Sequence, residues 1–429
     1  MDTLFKNARI IDPEAGTDRL GSLRVRAGTV AELTYDAAPD DANAQVLNCG
    51  GLCLAPGLID IGVKICEPGE RHKESFGSAG HAAARGGVTT IVTRPDTAPA
   101  IDTPEAIEFQ VRRAAEAAPV RMAPMAALTK GRAGREMTEI GFLQDAGAVA
   151  FTDCDRVVED TKVFSRALTY ARSLGALVMA HVQDPGLSKG AAATSGTRAS
   201  RMGLPAVSAM AERMALDRDV ALLEMTGAAY HADQITTARA LPALERAKRN
   251  GLDITAGTSI HHLTLTEAEI ADYRTFFKVK PPLRSEEDRA AVVEALASGL
   301  IDTVGSMHTP QDEESKRLPF EEAASGAVGL ETFLPAMLGL VADGSLTLPQ
   351  LFRAGSLNPA KRLGLGGGNL MRGAPADLIL FDPEGRLTLD RWALASKSKN
   401  TPFDGAEMTG QVVSTWVGGK CVHGSLADA

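Results

Sequence analysis

The residues best suited to chemistry in this chain come directly after short β-branched segments. Asp153 and His181 stand at the ends of two neighbouring predicted strands, residues 148–152 and 177–181. A carboxylate and an imidazole are both zinc ligands, and bound zinc lowers the pKa of a water molecule until it becomes a good nucleophile. Two ligands are fewer than the three or four of a tight zinc site. We therefore expect no cofactor, or zinc at low occupancy.

Lys64, near the end of another predicted strand, has the wrong charge for a metal site. Its ammonium group cannot coordinate zinc and would repel it. We expect Lys64 to pair with Asp153 instead, because a neutralised carboxylate is less costly to bury. Cys66 follows two residues later. Without a histidine beside it in the sequence, this thiol is a weak candidate nucleophile.

A (β/α)8 barrel is the element pattern that would position these residues. Short β-branched runs alternate with Ala-rich helical stretches, and chemistry in such barrels sits at the carboxyl ends of the strands. The predicted strands are 58–65, 89–93, 120–126, 148–152, 177–181, 234–237, 253–258 and 302–306. The predicted helices are 103–117, 161–174, 204–223, 238–250 and 286–297. Residues 188–197 and 311–317 are expected to be solvated loops.

The two ends of the chain predict a second structural unit. Residues 1–55 and 366–429 both contain short runs of alternating apolar and polar residues separated by turn residues such as Gly50-Gly51. Neither sheet could bury its apolar face alone. We therefore expect one composite β-sandwich, built from 1–55 and 366–429, beside a barrel of residues 56–365.

Composition excludes several classes of partner. A net charge of −9 over 429 residues argues against binding to nucleic acid. No uncharged stretch approaches the roughly 20 residues of a membrane span. The first residues lack the basic and apolar regions of a signal peptide, and five scattered cysteines fit a reducing compartment. A cytoplasmic location is expected.

One segment resembles a known family signature. Residues 56–69 read Pro-Gly-Leu-Ile-Asp-Ile-Gly-Val-Lys-Ile-Cys-Glu-Pro-Gly. They are similar to the first-strand signature of dihydroorotases and related cyclic amidohydrolases, Asp-x-His-x-His-x-Arg-Glu-Pro-Gly. Further segments of dihydroorotase type, class I, follow in order along nearly the whole chain: 7–13, 73–75, 86–90, 151–153, 277–284, 329–332 and 358–360.

The resemblance implies a metal centre that has degenerated. Asp153 and His181 match metal-ligand positions of the family. The other four positions carry substitutions: Gly62, Lys64, Gln234 and Met307. Because Met307 replaces the aspartate that serves as general base, the resemblance assigns no catalytic residue here.

The substrate positions have changed as well. Cys66 replaces an arginine, while Asp96 and Lys280 each replace an asparagine. His308 matches a substrate-contact position directly. Lys64, Arg94 and Lys280 could rebuild positive charge in another arrangement, which makes all six residues candidates for a pocket.

Three functions follow from these observations. The first is a non-catalytic dihydroorotase homologue of pyrimidine biosynthesis, a homo-oligomer that assembles with aspartate carbamoyltransferase. The second is an active dihydroorotase or related cyclic amidohydrolase, which hydrolyses a cyclic amide C–N bond at a depleted metal site. The third is a ligand-binding protein or metal-free enzyme whose pocket is built on Lys64, Arg94, Asp96 and Lys280.

Overall fold

The computed structural model describes residues 2–35, 44–270 and 272–425. The strands, in chain order, are β1 (Asp2–Asp12), β2 (Thr17–Arg26), β3 (Thr29–Thr34), β4 (Gln45–Asn48), β5 (Cys53–Pro56), β6 (Leu58–Val63), β7 (Val88–Thr93), β8 (Arg121–Pro124), β9 (Val178–His181), β10 (Ala193–Thr194), β11 (Ala206–Val207), β12 (Tyr230–Asp233), β13 (Ile254–Ser259), β14 (Thr303–Gly305), β15 (Leu378–Thr388), β16 (Glu407–Val417) and β17 (Lys420–Gly424).

The α-helices lie mainly between the strands of the barrel. They are α1 (Phe76–Arg85), α2 (Pro104–Ala117), α3 (Ile140–Asp145), α4 (Thr161–Leu174), α5 (Pro185–Ser188), α6 (Thr197–Met202), α7 (Met210–Thr226), α8 (Leu241–Arg249), α9 (Ile260–Thr264), α10 (Glu286–Ala297), α11 (Glu313–Lys316), α12 (Phe333–Ala342), α13 (Leu348–Phe352) and α14 (Asn358–Leu363). No helix in the described ranges is long and apolar enough to cross a membrane.

Two runs of parallel strands form the barrel wall, in the orders β6-β7-β8 and β9-β12-β13-β14. Phe151 joins the runs through single bridges to Ala126 and Val178. Between β14 and β6, the Ser306 amide donates to Asp60 Oδ1 at 2.8 Å and the Ser306 hydroxyl donates to the other carboxylate oxygen. These contacts close the barrel, so the carboxyl ends of its strands meet at one mouth.

Local sequence explains why these elements form where they do. Every residue of β6 and β7 is buried, because helices cover the outside of the barrel and side chains fill its inside. Helix α4 is capped at its start by Asp160, whose carboxylate accepts the amides of Lys162 and Val163, and at its end by Gly175 with a left-handed φ of 65°. Helix α10 begins at Ser285 in the same way. Both helices match their predicted ranges.

Both ends of the chain contribute strands to one mixed sheet outside the barrel. Its order is β17-β16-β15-β5-β1-β2-β3, with β4 beside β1. β15 pairs antiparallel with β5, so that Leu378 lies opposite Pro56. Phe5, Leu54 and Leu380 belong to a separate apolar core under this sheet. The predicted fold class, a barrel with a β-sandwich from both chain ends, is confirmed.

The domain boundaries near residues 55 and 366 stay a prediction. The ranges 1–55 and 366–429 also include residues 1, 36–43 and 426–429, which lie outside the described residues.

One predicted barrel strand was placed wrongly. The sixth is Tyr230–Asp233, not 234–237. Its polar residues do not look like a buried strand in the sequence. The structure buries them because they have polar partners: Tyr230 donates to Asp219 at 2.5 Å, and His231 Nδ1 lies 2.8 Å from the Thr255 hydroxyl. The predicted strand 148–152 lies in the barrel wall, where the Phe151 amide donates to the Leu177 carbonyl and the Thr152 amide donates to the Ala126 carbonyl.

Two surface segments also differ from their predictions. The predicted helix 204–223 starts later, at Met210, because residues 206–207 pair with residues 193–194 of the expected loop 188–197. Residues 311–317 contain the short helix α11, and Lys316 in it is buried rather than solvated. The local pattern of charged residues encodes neither the pairing of residues 193–194 with 206–207 nor the burial of Lys316.

Candidate site at the mouth of the barrel

The thioether of Met307 fills the space next to Gly62. Both residues have left-handed backbone, with φ of 48° at Met307 and 88° at Gly62. A Cβ atom added to Gly62 would lie 2.9 Å from Met307 Sδ, which is closer than these atoms pack. Met307, two residues after β14, would therefore have to move its thioether before a side chain at position 62 on β6 could fit.

Lys64 is held by two carboxylates of the mouth. Its Nζ lies 3.5 Å from Asp96 Oδ2 and 3.4 Å from Glu70 Oε2. Burial favours the neutral amine, but the charge of Asp96 and its neighbours more than compensates, so the pKa of Lys64 is raised. The predicted partner, Asp153, is wrong. A lysine side chain reaches several carboxylates, and the fold brings Asp96 and Glu70 closest.

Asp153 instead fixes the loop that follows β8. Its Oδ1 accepts the Thr129 amide at 3.0 Å, and its Oδ2 accepts the Thr129 hydroxyl. Burial raises the pKa of Asp153 despite these bonds. The Asp153 carbonyl accepts two bonds from Arg132 at 2.9 and 3.1 Å. Both carboxylate oxygens are thus already used inside the protein.

His181 lies at the carboxyl end of β9 with one free ring nitrogen. It is 4% exposed, and within the described part of the chain its Nε2 has no hydrogen-bond partner. Burial, together with the positive charge of Lys280, lowers the pKa of His181 to about 3, so the imidazole is neutral. Gln234, the substituted ligand on the next strand, is also buried, with a left-handed φ of 57°.

Four cations and two aspartates form a continuous network across the mouth. Arg94 donates to Asp96 at 2.8 Å and lies 3.9 Å from Asp155. Asp155 also pairs with Arg132 at 2.6 Å and with Lys280 at 3.3 Å. Burial opposes ionisation of Asp155, but Arg94 and its neighbours outweigh burial and lower its pKa. Lys64 extends the network through Asp96.

The network leaves several buried polar atoms unpaired among the described residues. They include Arg94 Nε, Asp96 Oδ1 and Asp233 Oδ1. Burial raises the pKa of Asp233 to about 6, since only Arg94 offsets it. Unpaired buried donors and acceptors are costly unless water or a ligand satisfies them.

His308 faces away from this network. Its Nε2 lies 3.3 Å from Glu74 Oε2, and its Nδ1 accepts the Gly329 amide at 3.2 Å. With both ring nitrogens engaged, His308 is not placed to contact a ligand in the mouth. Cys66 is fully buried, and burial raises the pKa of its thiol to about 12. That protonated thiol is a poor nucleophile.

The structure thus brings Lys64, Arg94, Asp96 and Lys280 into one network and leaves His308 outside it. Sequence reasoning missed Glu70, Arg132 and Asp155. Asp155 stands two residues after Asp153, in the run of polar residues that ends a predicted strand, which was the available signal. For Glu70, the turn after β6 gave no comparable signal.

These side chains do not suit a zinc ion. The positions around His181 offer a glycine, an ammonium, an amide and a thioether, of which none is a usual zinc ligand. Asp153 is already hydrogen-bonded through both oxygens. In the parts of the chain that the structure describes, no three His, Cys, Asp or Glu side chains are grouped to hold a metal.

Comparison with known proteins fits this architecture. Residues 51–240 match the family model described as Dihydro-orotase-like. The chain is 38% identical over 425 residues to the dihydroorotase of Anaeromyxobacter dehalogenans (strain 2CP-C), with 98% of each chain covered. It is 37% identical over 423 residues to that of Syntrophus aciditrophicus, with 99% of each chain covered.

The chain belongs to the dihydroorotase family. Among solved structures, this dihydroorotase homologue is similar to the L-hydantoinase of Arthrobacter aurescens, with a TM-score of 0.89, 26% identity, and coverage of 99% and 96% of the two chains. A dihydropyrimidinase from Brevibacillus agri shares the fold, with a TM-score of 0.85, 22% identity, and coverage of 99% and 95%.

Proposed function

We propose that this dihydroorotase homologue serves pyrimidine biosynthesis as a non-catalytic chain that assembles with aspartate carbamoyltransferase. The observation that carries the proposal is the contact between Met307 and Gly62. A thioether stands where the family has its general base, and it occupies the room that the first histidine ligand would need. At these two positions, apolar packing therefore stands in place of the general base and of one metal ligand.

The remaining charges support the same conclusion. Opening a cyclic amide requires an activated water, and without a dication the pKa of water stays near 15.7. Lys64 supplies positive charge at the mouth, but Asp96 and Glu70 already neutralise it. Met307 cannot accept a proton. A chain that keeps the whole barrel but can neither activate water nor accept a proton at these positions is suited to a structural role. We propose that it acts in the cytoplasm and as a homo-oligomer.

One observation favours the second candidate, an active cyclic amidohydrolase with a depleted metal site. The Nε2 atom of His181 is buried, lacks a partner among the described residues, and belongs to a neutral imidazole. Such an atom is free to bind an ion at low occupancy. Asp153 would have to give up its bonds to Thr129 to complete even a two-ligand site.

The third candidate, a re-purposed pocket, draws on the unpaired atoms of Arg94, Asp96 and Asp233. Its weakness is that the cations of the mouth are matched by Asp96, Asp155 and Glu70. A ligand would therefore have to compete with internal ion pairs that are already formed.

Two assays on the purified chain test the proposal. The first measures zinc content and turnover of dihydroorotate, with the Anaeromyxobacter dehalogenans relative as positive control. The second measures complex formation with the aspartate carbamoyltransferase of the same organism by light scattering at micromolar concentration. We expect no stoichiometric zinc, no turnover and a stable complex. Turnover that chelation abolishes would establish the second candidate instead.

A further inference from the structure

Three neighbouring helices of the barrel expose large apolar side chains on one surface. Phe142 on α3 is 65% exposed, Val111 on α2 is 43% exposed and Leu174 on α4 is 36% exposed. A Cβ atom added to Gly147, just after α3, would lie 3.7 Å from Val111 Cγ2, and one added to Gly141, within α3, would lie 3.7 Å from Leu174 Cδ1. Val111 and Leu174 thus both lie against the segment that carries Phe142. We call this surface, residues 111, 141, 142, 147 and 174, the α3 face.

The α3 face is apolar on its outer side as well as its inner side. Ile140 and Leu143 of α3 are buried in the main core, whereas Phe142 between them is exposed. Among the aromatic residues that the structure describes, none is more exposed than Phe142. The sheet built from the chain ends packs against α1, α12 and α13 instead. A contiguous apolar surface that is left to solvent marks an interaction site.

The size of the α3 face suits a specific interface. Helices α2 and α4 each contain 14 residues, which makes them about 21 Å long. Three helices side by side, each about 10 Å across, span about 30 Å. The flat area is therefore about 600 Å², and the accessible area of a corrugated helical surface exceeds this value. A specific interface buries about 800 Å² on each partner, so the face is of the size that a stable dimer needs.

The charges around the face nearly balance. With the cap residues Glu139 and Asp160 included, α2, α3 and α4 carry six acidic and five basic side chains. The whole chain has a net charge of −9, so two copies of it repel each other. Their approach costs least at a face whose own charge is close to zero. Such a face also gives a partner of strong opposite charge little to recognise, which favours a second copy as the occupant.

Several of these charges have no partner within the chain. Glu108, Arg112, Asp145 and Arg166 are exposed, and none of them forms an ion pair with another residue in the described ranges. A two-fold contact places the same surface of two copies against each other, so an acid of one copy can pair with a base of the other. Two acids and two bases around an apolar centre therefore complement a second copy of the same face.

We infer that the α3 face joins two copies of this chain in a two-fold symmetric dimer. This inference rests on the homo-oligomer of the proposed function and adds the surface through which the copies associate. Phe142 of each copy packs against the apolar surface of the other, and the unpaired charges form ion pairs around it.

Sedimentation equilibrium of the full chain measures the Kd of self-association. Phe142→Asp and Leu174→Asp each place a carboxylate in the apolar contact, and we expect each to raise Kd by about 30-fold or more. Phe142→Leu keeps the contact apolar and should raise Kd by less than about tenfold. The matched control is Met371→Asp in the segment before β15, where the side chain is 61% exposed. It should change Kd by less than about twofold. Equal thermal unfolding midpoints establish that the variants are folded.

The outcomes separate this inference from the proposed function. If the unaltered chain is a monomer at micromolar concentration, the homo-oligomer and the inference both fail. If it self-associates with a Kd that neither aspartate variant changes, the α3 face alone is wrong. If these variants weaken binding to the carbamoyltransferase and leave self-association intact, the face belongs to that partner and the inference is overturned. Self-association through the face without any complex would contradict the proposed assembly and leave the inference standing.

Discussion

The ammonium nitrogen of Lys64 lies 3.5 Å from Asp96, a carboxylate that also accepts a bond from Arg94. Lys64 stands at a ligand position of the family signature, and Asp96 stands at a substrate position. Residues at two separate positions of the family signature are thus partners of each other in a buried ion pair.

Replacing Lys64 with methionine should therefore destabilise the fold. The carboxylates of Asp96 and Glu70 lose a cation, although Arg94 still neutralises part of the charge. We expect the free energy of unfolding to fall by about 1–3 kcal/mol, less than the full cost of breaking a buried ion pair. Urea unfolding at neutral pH measures it. The control Lys130→Met removes an exposed pair with Glu136 and should leave the midpoint unchanged.

Restoring a histidine at Gly62 should be costly while Met307 is present. The new Cβ would lie 2.9 Å from Met307 Sδ, so the flexible thioether would have to move, and the φ of 88° disfavours any side chain. We expect Gly62→His to cost about 1–3 kcal/mol. In combination with Met307→Asp it should cost less than the sum of the two single changes, because the thioether is then absent. A double-mutant cycle from chemical unfolding gives this coupling; additive effects would show that the contact is unimportant.

Zinc binding should return only when the ligand set is rebuilt together. We expect the variant with Gly62→His, Lys64→His, Gln234→His and Met307→Asp to bind zinc, since imidazoles and carboxylates then surround His181. Each single change should bind no more zinc than the natural chain, because three or four ligands are needed at once. Elemental analysis after dialysis against a weak chelator measures the bound metal. Zinc in any single variant would contradict the ligand arrangement inferred above.

The buried amine of Lys316 predicts how stability depends on pH. Burial and the charge of Lys278 lower the pKa of Lys316 from 10.5 to about 7. Between these values the unfolded chain binds more protons than the folded one, so this group makes folding more favourable as pH rises from 7 to 10.5. Below pH 7 its full cost is present.

Lys316→Met should remove that dependence. Relative to the variant, the natural chain should gain up to about 1.4 kcal/mol of stability for each pH unit above 7. Urea unfolding at pH 7, 8 and 9 tests this expectation. Loss of the bonds from Lys316 to the carbonyls of Thr275 and Lys278 adds an offset that does not vary with pH. Parallel curves for the two proteins would show that Lys316 is protonated throughout.

Sequence patterns predicted most of the barrel because burial on both faces and helix caps leave local signals. β6, β7 and α4 show this. The strand Tyr230–Asp233 escaped prediction because its polar side chains are satisfied by partners distant in sequence, such as Asp219. In the site, the residue types alone showed that four ligand positions of the family signature carry other residues. They did not give the partner of Lys64 or the outward orientation of His308, which depend on distances set by the assembled barrel.

The packing of Met307 against Gly62 makes the two positions depend on each other. A side chain at position 62 requires the thioether of Met307 to move and must adopt a φ that disfavours it. Which residues the barrel mouth tolerates at either position is therefore set by the residue at the other.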